Sequence, residues 1–371
     1  MPSRLRAVPA WAWLAALVAV SILFRAWLGR QMAAPFIFVD ELIYSELARS
    51  FAGGGEFLVR GEPSGGYGVL YPVLVSPAYA LFDSLPAAYS AVKAINALLM
   101  SLAAVPAYFL ARRMLGPGLS LLAALLAVAV PSMVYTSTVM TENAFYPLFL
   151  TVALVLTATL ERPTAFRQLS LLALALVAFL TRVQSVALAP ALVTAPFLLS
   201  VFARQPLRRT LSTYRVLLGA LFGGGALVVL AQLARGHSPT ELLGAYAVVG
   251  EASYSLGNVA RFFLYHVAEL DLYVGVVPFV ALAVLSAGAR RAPRAVQAYV
   301  AATLSLSLFL VLAVAVFASR FADRIQERNT FPVAALLLIA LLVWVGHDAP
   351  RPTLRLKNSF SLTVKRSVRP V

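Results

Sequence analysis

Ten apolar runs, each bounded by charge or by Pro and Gly, limit what this sequence can fold into. They cover about residues 9–29, 86–110, 118–138, 143–160, 168–182, 184–202, 216–234, 263–286, 297–318 and 331–346. A bilayer's hydrocarbon core is about 30 Å thick and takes roughly 20 apolar residues per helical crossing. The pattern therefore predicts an all-α fold, a polytopic transmembrane helical bundle of about ten spans. Composition agrees: 61% of the 371 residues are hydrophobic and 12% charged, with a mean hydropathy of +0.85. One membrane domain over 1–346 is expected, followed by a basic tail over 347–371. The first run follows Arg4 and Arg6, is rich in Trp and lacks a small-residue cleavage site, so it reads as a retained helix and not as a removed signal peptide. The absence of Cys excludes disulfides, thiolate zinc sites and a cysteine nucleophile. His237, His266 and His347 lie too far apart in sequence to suggest a metal cluster.

The net charge of +15 would suggest nucleic acid in a soluble chain. Here the positive-inside rule yields the same excess, and no nucleic-acid partner is expected. With both termini cytoplasmic, Arg112, Arg113, Arg162, Arg167, Arg204, Arg208, Arg209, Arg215, Arg290, Arg291, Arg294 and the tail fall inside, while every acid except Glu161 and Asp348 falls on the other face. The segmentation used apolarity and not sign of charge, so the two signals are independent. They place the chain in a plasma or inner membrane with its acidic chemistry exterior or periplasmic. The outer segments 30–85 and 235–262 are long and the inner connections short, and long segments on one face are where function concentrates. The basic tail is expected to seek anionic lipid headgroups.

The first outer segment opens with FVDELIYSELARSFAGGGEF. Ile43, Leu47 and Phe51 recur every four residues with Asp40, Glu41, Glu46 and Arg49 on other faces, which predicts an amphipathic helix in the interface plane, ended at Gly53-Gly54-Gly55. Asp40 stands where that helix begins and could simply cap it. A cap needs no second acid beside it and no Tyr44 one turn on, so a catalytic reading stands next to the capping one. The following GEPSGGYGVLYPVLVSPAYALF reads as a partly helical loop dipping to the membrane, with Tyr67, Tyr71 and Tyr79 anchoring at the interface or stacking on a sugar. Lys93, in the second run, must snorkel, pair or meet an anionic ligand. Glu142 opens the fourth run at the outer face, Arg182 ends the fifth there, and Arg320, Arg324 and Arg328 cluster ahead of the last. Asp323 and Glu327 can neutralise some of that last cluster; lipid phosphate is the sharper reading.

The order of DELIYSELARSF, YGVLYPVLVSPAY, AVKAINALLMSLAAVPAYFLARRMLG and PSMVYTSTVMTENAFYPLFL resembles the GT-C superfamily of polyprenyl-phosphate-sugar-dependent glycosyltransferases, the group that includes protein O-mannosyltransferases and lipid A aminoarabinose transferases. The resemblance covers roughly residues 8–200 well. It implies an inverting enzyme facing the exterior that moves a hexosyl or pentosyl group from a polyprenyl phosphate onto a glycan, lipid or protein. On that resemblance Asp40 matches the catalytic acid with Glu41 its neighbour, Glu142 the second acidic position, Lys93 a basic residue of the second helix, and Arg328 the arginine before the last core helix. Tyr44, Tyr67, Tyr71, Arg182, Arg320 and Arg324 complete the candidate substrate-binding set. The second loop lacks the Lys of the aminoarabinose transferases, the second acid is Glu, and no large exterior domain follows the last run.

The chemistry stands without the name. Displacing a phosphate from an anomeric carbon needs a base for the incoming hydroxyl, cations for the leaving phosphate and apolar walls for the lipid. Asp40, Glu41 and Glu142 could also form an oxygen site for Mg²⁺ or Mn²⁺, although none requires one. No P-loop, HExxH or nucleophile-elbow motif is present. The rival readings are a secondary transporter or lipid flippase, which usually shows matched halves that are not seen here, and an assembly protein whose acids only cap helices.

Overall fold

The computed structural model describes residues 8–32, 35 and 38–347, apart from the side chains of Leu242, Leu243 and Ala245. Arg4, Arg6 and the basic tail lie outside the described residues. The first nine helices are α1 (Ala10–Gly29), α2 (Val39–Gly54), α3 (Leu70–Leu81), α4 (Leu85–Ser101), α5 (Ala104–Ala111), α6 (Pro117–Ala129), α7 (Glu142–Glu161), α8 (Ala165–Thr181) and α9 (Leu188–Phe202). The second nine are α10 (Leu207–Thr213), α11 (Arg215–Gly219), α12 (Gly225–Ala234), α13 (Ala247–Glu251), α14 (Leu256–Val274), α15 (Val277–Gly288), α16 (Arg294–Phe317), α17 (Glu327–Thr330) and α18 (Pro332–His347). A two-residue hairpin pairs Leu58–Val59 with Glu62–Pro63, turning through Arg60 and Gly61 at positive φ.

All ten apolar runs are helical, but they are not ten equal crossings. Among the described residues six helical stretches are long and apolar enough to span a membrane, or eight when each of two bent pairs is taken as one span. The expected span at 263–286 is corrected: α14 and α15 meet at 109°, because Gly275 takes a left-handed turn (φ 81°) and Pro278 follows. The run at 118–138 also breaks, by 57°, at Pro131. α8 and α18, with 17 and 16 residues, fall short of a full crossing by length. Large apolar side chains on the outside, including Trp11, Leu23, Leu227 and Leu256, suit a lipid solvent.

α16 forms the centre of the bundle, packing on α9, α7 and α14. Its small residues Ala298, Ala301, Ala302 and Ala315 are buried and let neighbouring backbones come close. The Tyr146 hydroxyl donates at 2.6 Å to Ala127 O, a carbonyl left open because Pro131 has no N–H, and the buried Tyr299 phenol donates to Leu336 O inside α18. At the far end of α7, Arg113 and Glu161 form a two-pronged pair at 2.5 and 2.6 Å. The predicted amphipathic helix is α2, ending with Gly55 at φ 76°. It lies against α3, which is a proper helix despite Pro77.

Candidate active site

The short turn of α17 ties four elements together, one through each of its residues. Glu327 accepts from the Ser132 hydroxyl and, at 2.9 Å, from the Tyr135 phenol. Arg328 Nη2 reaches Asp40 Oδ2 at 2.7 Å. Asn329 Oδ1 accepts from Arg182 Nη2 at 2.5 Å. The Thr330 hydroxyl donates to Glu269 Oε2 at 3.3 Å. A loop segment alone would not hold a guanidinium still in a bundle of this kind; four anchors on four elements do.

Around this turn the carboxylates and guanidiniums alternate. Arg328 bridges the acids, with Nη2 on Asp40 and Nε at 3.9 Å from Glu142 Oε1. Arg182 Nη1 meets the same Glu142 oxygen at 2.9 Å and donates to the Thr141 hydroxyl at 3.3 Å, while its Nε donates to Gln184 at 2.8 Å. Two positive and two negative groups balance, which such closely packed charges require. Burial alone would lower the Arg182 guanidinium, but Glu142, with Tyr44 and Tyr246, more than reverses this and holds it above its ordinary value. Exposure separates the acids: the Glu142 side chain is 3% exposed and that of Asp40 40%. Glu142 is thus the internal counter-charge, and Asp40 is the carboxylate a substrate can reach. Arg328 Nη1 is buried with no hydrogen-bond partner among the described residues, leaving a cationic donor free beside Asp40.

Asp40 does not cap α2, as the sequence allowed. The cap position is Phe38, and no side chain caps the helix. Glu41, one residue and about 100° further round the helix, leaves the charged cluster altogether. It is 2% exposed and its Oε1 accepts from Val139 N–H at 2.9 Å, anchoring α2 to the turn before α7. Burial pushes its carboxyl above the ordinary range, against the main-chain donors at Val139 and Phe38. Lys93 is also inside: its Nζ donates to Gly29 O at 2.7 Å and Met32 O at 2.6 Å and lies 4.8 Å from the Tyr89 ring centre. It does not snorkel; it closes the C-terminal end of α1, where a cation is favoured by the helix dipole.

The interface role expected for Tyr71 is corrected. Tyr71 is fully buried and donates to Asn96 Oδ1 at 3.0 Å. Tyr44 packs edge-on against both Tyr71 and Tyr67, at 5.8 and 6.3 Å between ring centres, and burial pushes its phenol well up. Tyr67 and Tyr79 are half-buried. Arg320 and Arg324 are exposed, and only Arg328 of that trio joins the acids. The expected neutralisation of the trio by Asp323 and Glu327 is likewise corrected, because Glu327 is taken by Ser132 and Tyr135. For Mg²⁺ or Mn²⁺ the donor set does not fit: Glu41 points away, Asp40 and Glu142 each face a guanidinium, and no three His, Cys, Asp or Glu side chains converge among the described residues.

Glycines bring the two long segments between helices, the one after α2 and the one after α12, together beside Arg182. A Cβ on Gly68 would lie 2.0 Å from Thr181 O, and one on Gly244 2.0 Å from Gly66 Cα. Neither approach was legible in the sequence, nor were the roles of Thr141, Gln184, Glu327 and Asn329. The available signal was the density of polar residues in ERNT directly before an apolar run.

Residues 71–233 match the family model described as dolichyl-phosphate-mannose-protein mannosyltransferase. Among curated proteins no sequence relative matches the chain. The fold is similar to that of ArnT from Cupriavidus metallidurans bound to undecaprenyl phosphate, with a TM-score of 0.57 and 18% identity over 93% of this chain and 61% of that one. The apo state of the same protein gives a TM-score of 0.55 and 16% identity over 92% and 61%. The chain therefore spans about three fifths of the length of the structures it resembles.

Proposed function

We propose that this chain, whose fold is that of the GT-C superfamily, is a membrane glycosyltransferase that moves a sugar from a polyprenyl-phosphate donor to a hydroxyl-bearing acceptor at the exterior face. The observation that carries the reading is the reachable Asp40 carboxylate held by Arg328, whose second terminal nitrogen has no partner, with Glu142 and Arg182 buried behind them. The undecaprenyl phosphate bound in the ArnT structure supports the donor class.

In this reading the donor phosphate takes up the free donor of Arg328 and draws the guanidinium toward itself, loosening its hold on Asp40. Asp40 then accepts the proton of the acceptor hydroxyl as that oxygen attacks the anomeric carbon. The bond from the anomeric carbon to the phosphate oxygen breaks, and the polyprenyl phosphate leaves with the electron pair, its new charge stabilised by Arg328. One displacement inverts the anomeric centre, and no second carboxylate has to act as nucleophile. Glu142 stays ionised to balance Arg182, which holds Asn329 and hence the turn that carries Arg328. Tyr67, half-buried against Tyr44, offers an aromatic wall for a sugar ring.

The test uses liposomes containing the full chain and a panel of undecaprenyl-phosphate hexoses and pentoses. Acceptor-dependent release of undecaprenyl phosphate is expected, and Asp40→Asn should stop it. Intact donor moving between leaflets without cleavage would instead favour the flippase.

A further inference from the structure

At the opposite end of the same helices lies a second concentration of arginine. α9 runs from beside Arg182 to Phe202, and α16 from Arg294 toward α17; the 24 residues of α16 span about 36 Å, roughly one bilayer. There the ends of α9 and α15 and the start of α16 enclose a cleft of about 890 Å³. Arg204, Arg290, Arg291 and Arg294 line it, with the amides of Gln205 and Gln297, and no acidic side chain is among its walls.

Two ordinary causes put arginine near such a place. Topology selects cations on one face, and the C-terminal ends of α9 and α15 favour them electrostatically. Either cause would scatter guanidiniums over a surface. Neither explains four of them around one concavity while the nearby acid, Glu161, is committed to Arg113. Arg204 adds a separate observation. It follows α9 at φ 51°, a left-handed position where glycine is the usual low-cost choice, so the fold accepts backbone strain to place a guanidinium at the rim. Arg294 is fixed by donation to Leu160 O at 2.9 Å. The chain's own tail is not the missing counter-charge, since it carries Arg351, Arg355, Lys357, Lys365, Arg366 and Arg369 against Asp348.

We propose that this cleft binds the headgroup of a membrane lipid carrying two phosphate groups, its chains continuing into the surrounding bilayer. Four guanidiniums without an acid supply two for each of two phosphates, each phosphate taking paired guanidinium donors, and the two amides can serve a bridging hydroxyl. Basic pockets between helix ends at the membrane surface favour this headgroup class. The site is separate from the sugar-transfer centre and does not depend on that reading.

The full chain in nanodiscs of phosphatidylcholine, titrated with tetraoleoyl cardiolipin and read by native mass spectrometry, tests this. Cardiolipin should be retained well over phosphatidylglycerol. The triple variant Arg204→Ala, Arg290→Ala, Arg291→Ala should weaken retention about a hundred-fold, at roughly five-fold per arginine. A charge-matched triple, Arg208→Ala, Arg209→Ala, Arg215→Ala, removes exposed arginines that do not line the cleft and should change retention less than about three-fold. Thermal melting without cardiolipin confirms that both variants fold. The proposal fails if the two triples weaken binding equally, because the attraction is then diffuse, or if phosphatidylglycerol is held as well as cardiolipin. It also fails if free pyrophosphate protects the chain from melting as strongly as the lipid does, which would make the site one for soluble phosphates.

Discussion

Beyond one end of α16, Arg328 and Arg182 each face a carboxylate; at its other end Arg204, Arg290, Arg291 and Arg294 line a cleft without one. The same side chain serves two purposes there. Where an acid is built in, the guanidinium is neutralised and oriented within the bundle before any substrate arrives, and an incoming phosphate must compete for it. In the cleft the arginines wait for an anion from outside, so their contribution depends on lipid composition and is screened by salt. Acidic neighbours, more than arginine number, distinguish a centre preorganised for chemistry from one suited to retention.

The largest effect is expected at Asp40. Asp40→Asn removes the proposed proton acceptor and keeps the shape, so transfer should fall about a thousand-fold, measured as undecaprenyl phosphate release, with melting unchanged. An effect under ten-fold would remove Asp40 from the chemistry. Glu142→Gln leaves Arg182 as an uncompensated buried charge, and a loss of about 3 kcal/mol of stability is expected by denaturant unfolding in detergent. Pairing it with Arg182→Gln should recover much of that loss; if it does not, the pair is not the unit proposed.

At Gly68 the effect is geometric. Gly68→Ala pushes the segment ahead of α3 off Thr181 and Arg182, and transfer should drop at least about ten-fold as the site loosens by an ångström. Glu41 gives a smaller effect through stability. Its folded carboxyl lies above its ordinary range, so its contribution is full at low pH and is lost as pH rises from that range through the raised folded value. Glu41→Gln keeps an acceptor for Val139 N–H and should flatten that pH dependence, whereas Glu41→Ala strands the donor at a cost of about 1–3 kcal/mol, read from melting at several pH values. In the cleft, Arg290→Ala with Arg291→Ala should leave transfer within about two-fold, because exposed substitutions remote from the site are nearly neutral. A large loss would join the two ends.

The positions of the helices were legible because the apolar period and the flanking charges act locally. The kink at Gly275 was not read, because Gly275 and Pro278 sit inside a long apolar run that looks like one span. Within the site, Asp40, Glu142, Arg182 and Arg328 stood out as charges beside apolar runs, and the structure brings all four together. Tyr71, an aromatic candidate, and Lys93, a charge in an apolar run, turned out to be internal: Asn96, 25 residues on, takes the Tyr71 phenol, and Gly29 and Met32, more than 60 residues back, take the Lys93 ammonium. Glu41 beside Asp40 shows the limit most plainly, since neighbours in sequence lie about 100° apart on a helix and meet different partners.

By itself the sequence determined an apolar helical bundle, its asymmetry of charge and the amphipathic segment that carries Asp40, because burial and the avoidance of charge in lipid act on every residue separately. Tertiary structure decided which charges meet. It set Arg328 between Asp40 and Glu142 across nearly 300 residues, turned Glu41 inward, and gathered four arginines into one cleft, because such meetings depend on how helices cross and where they break.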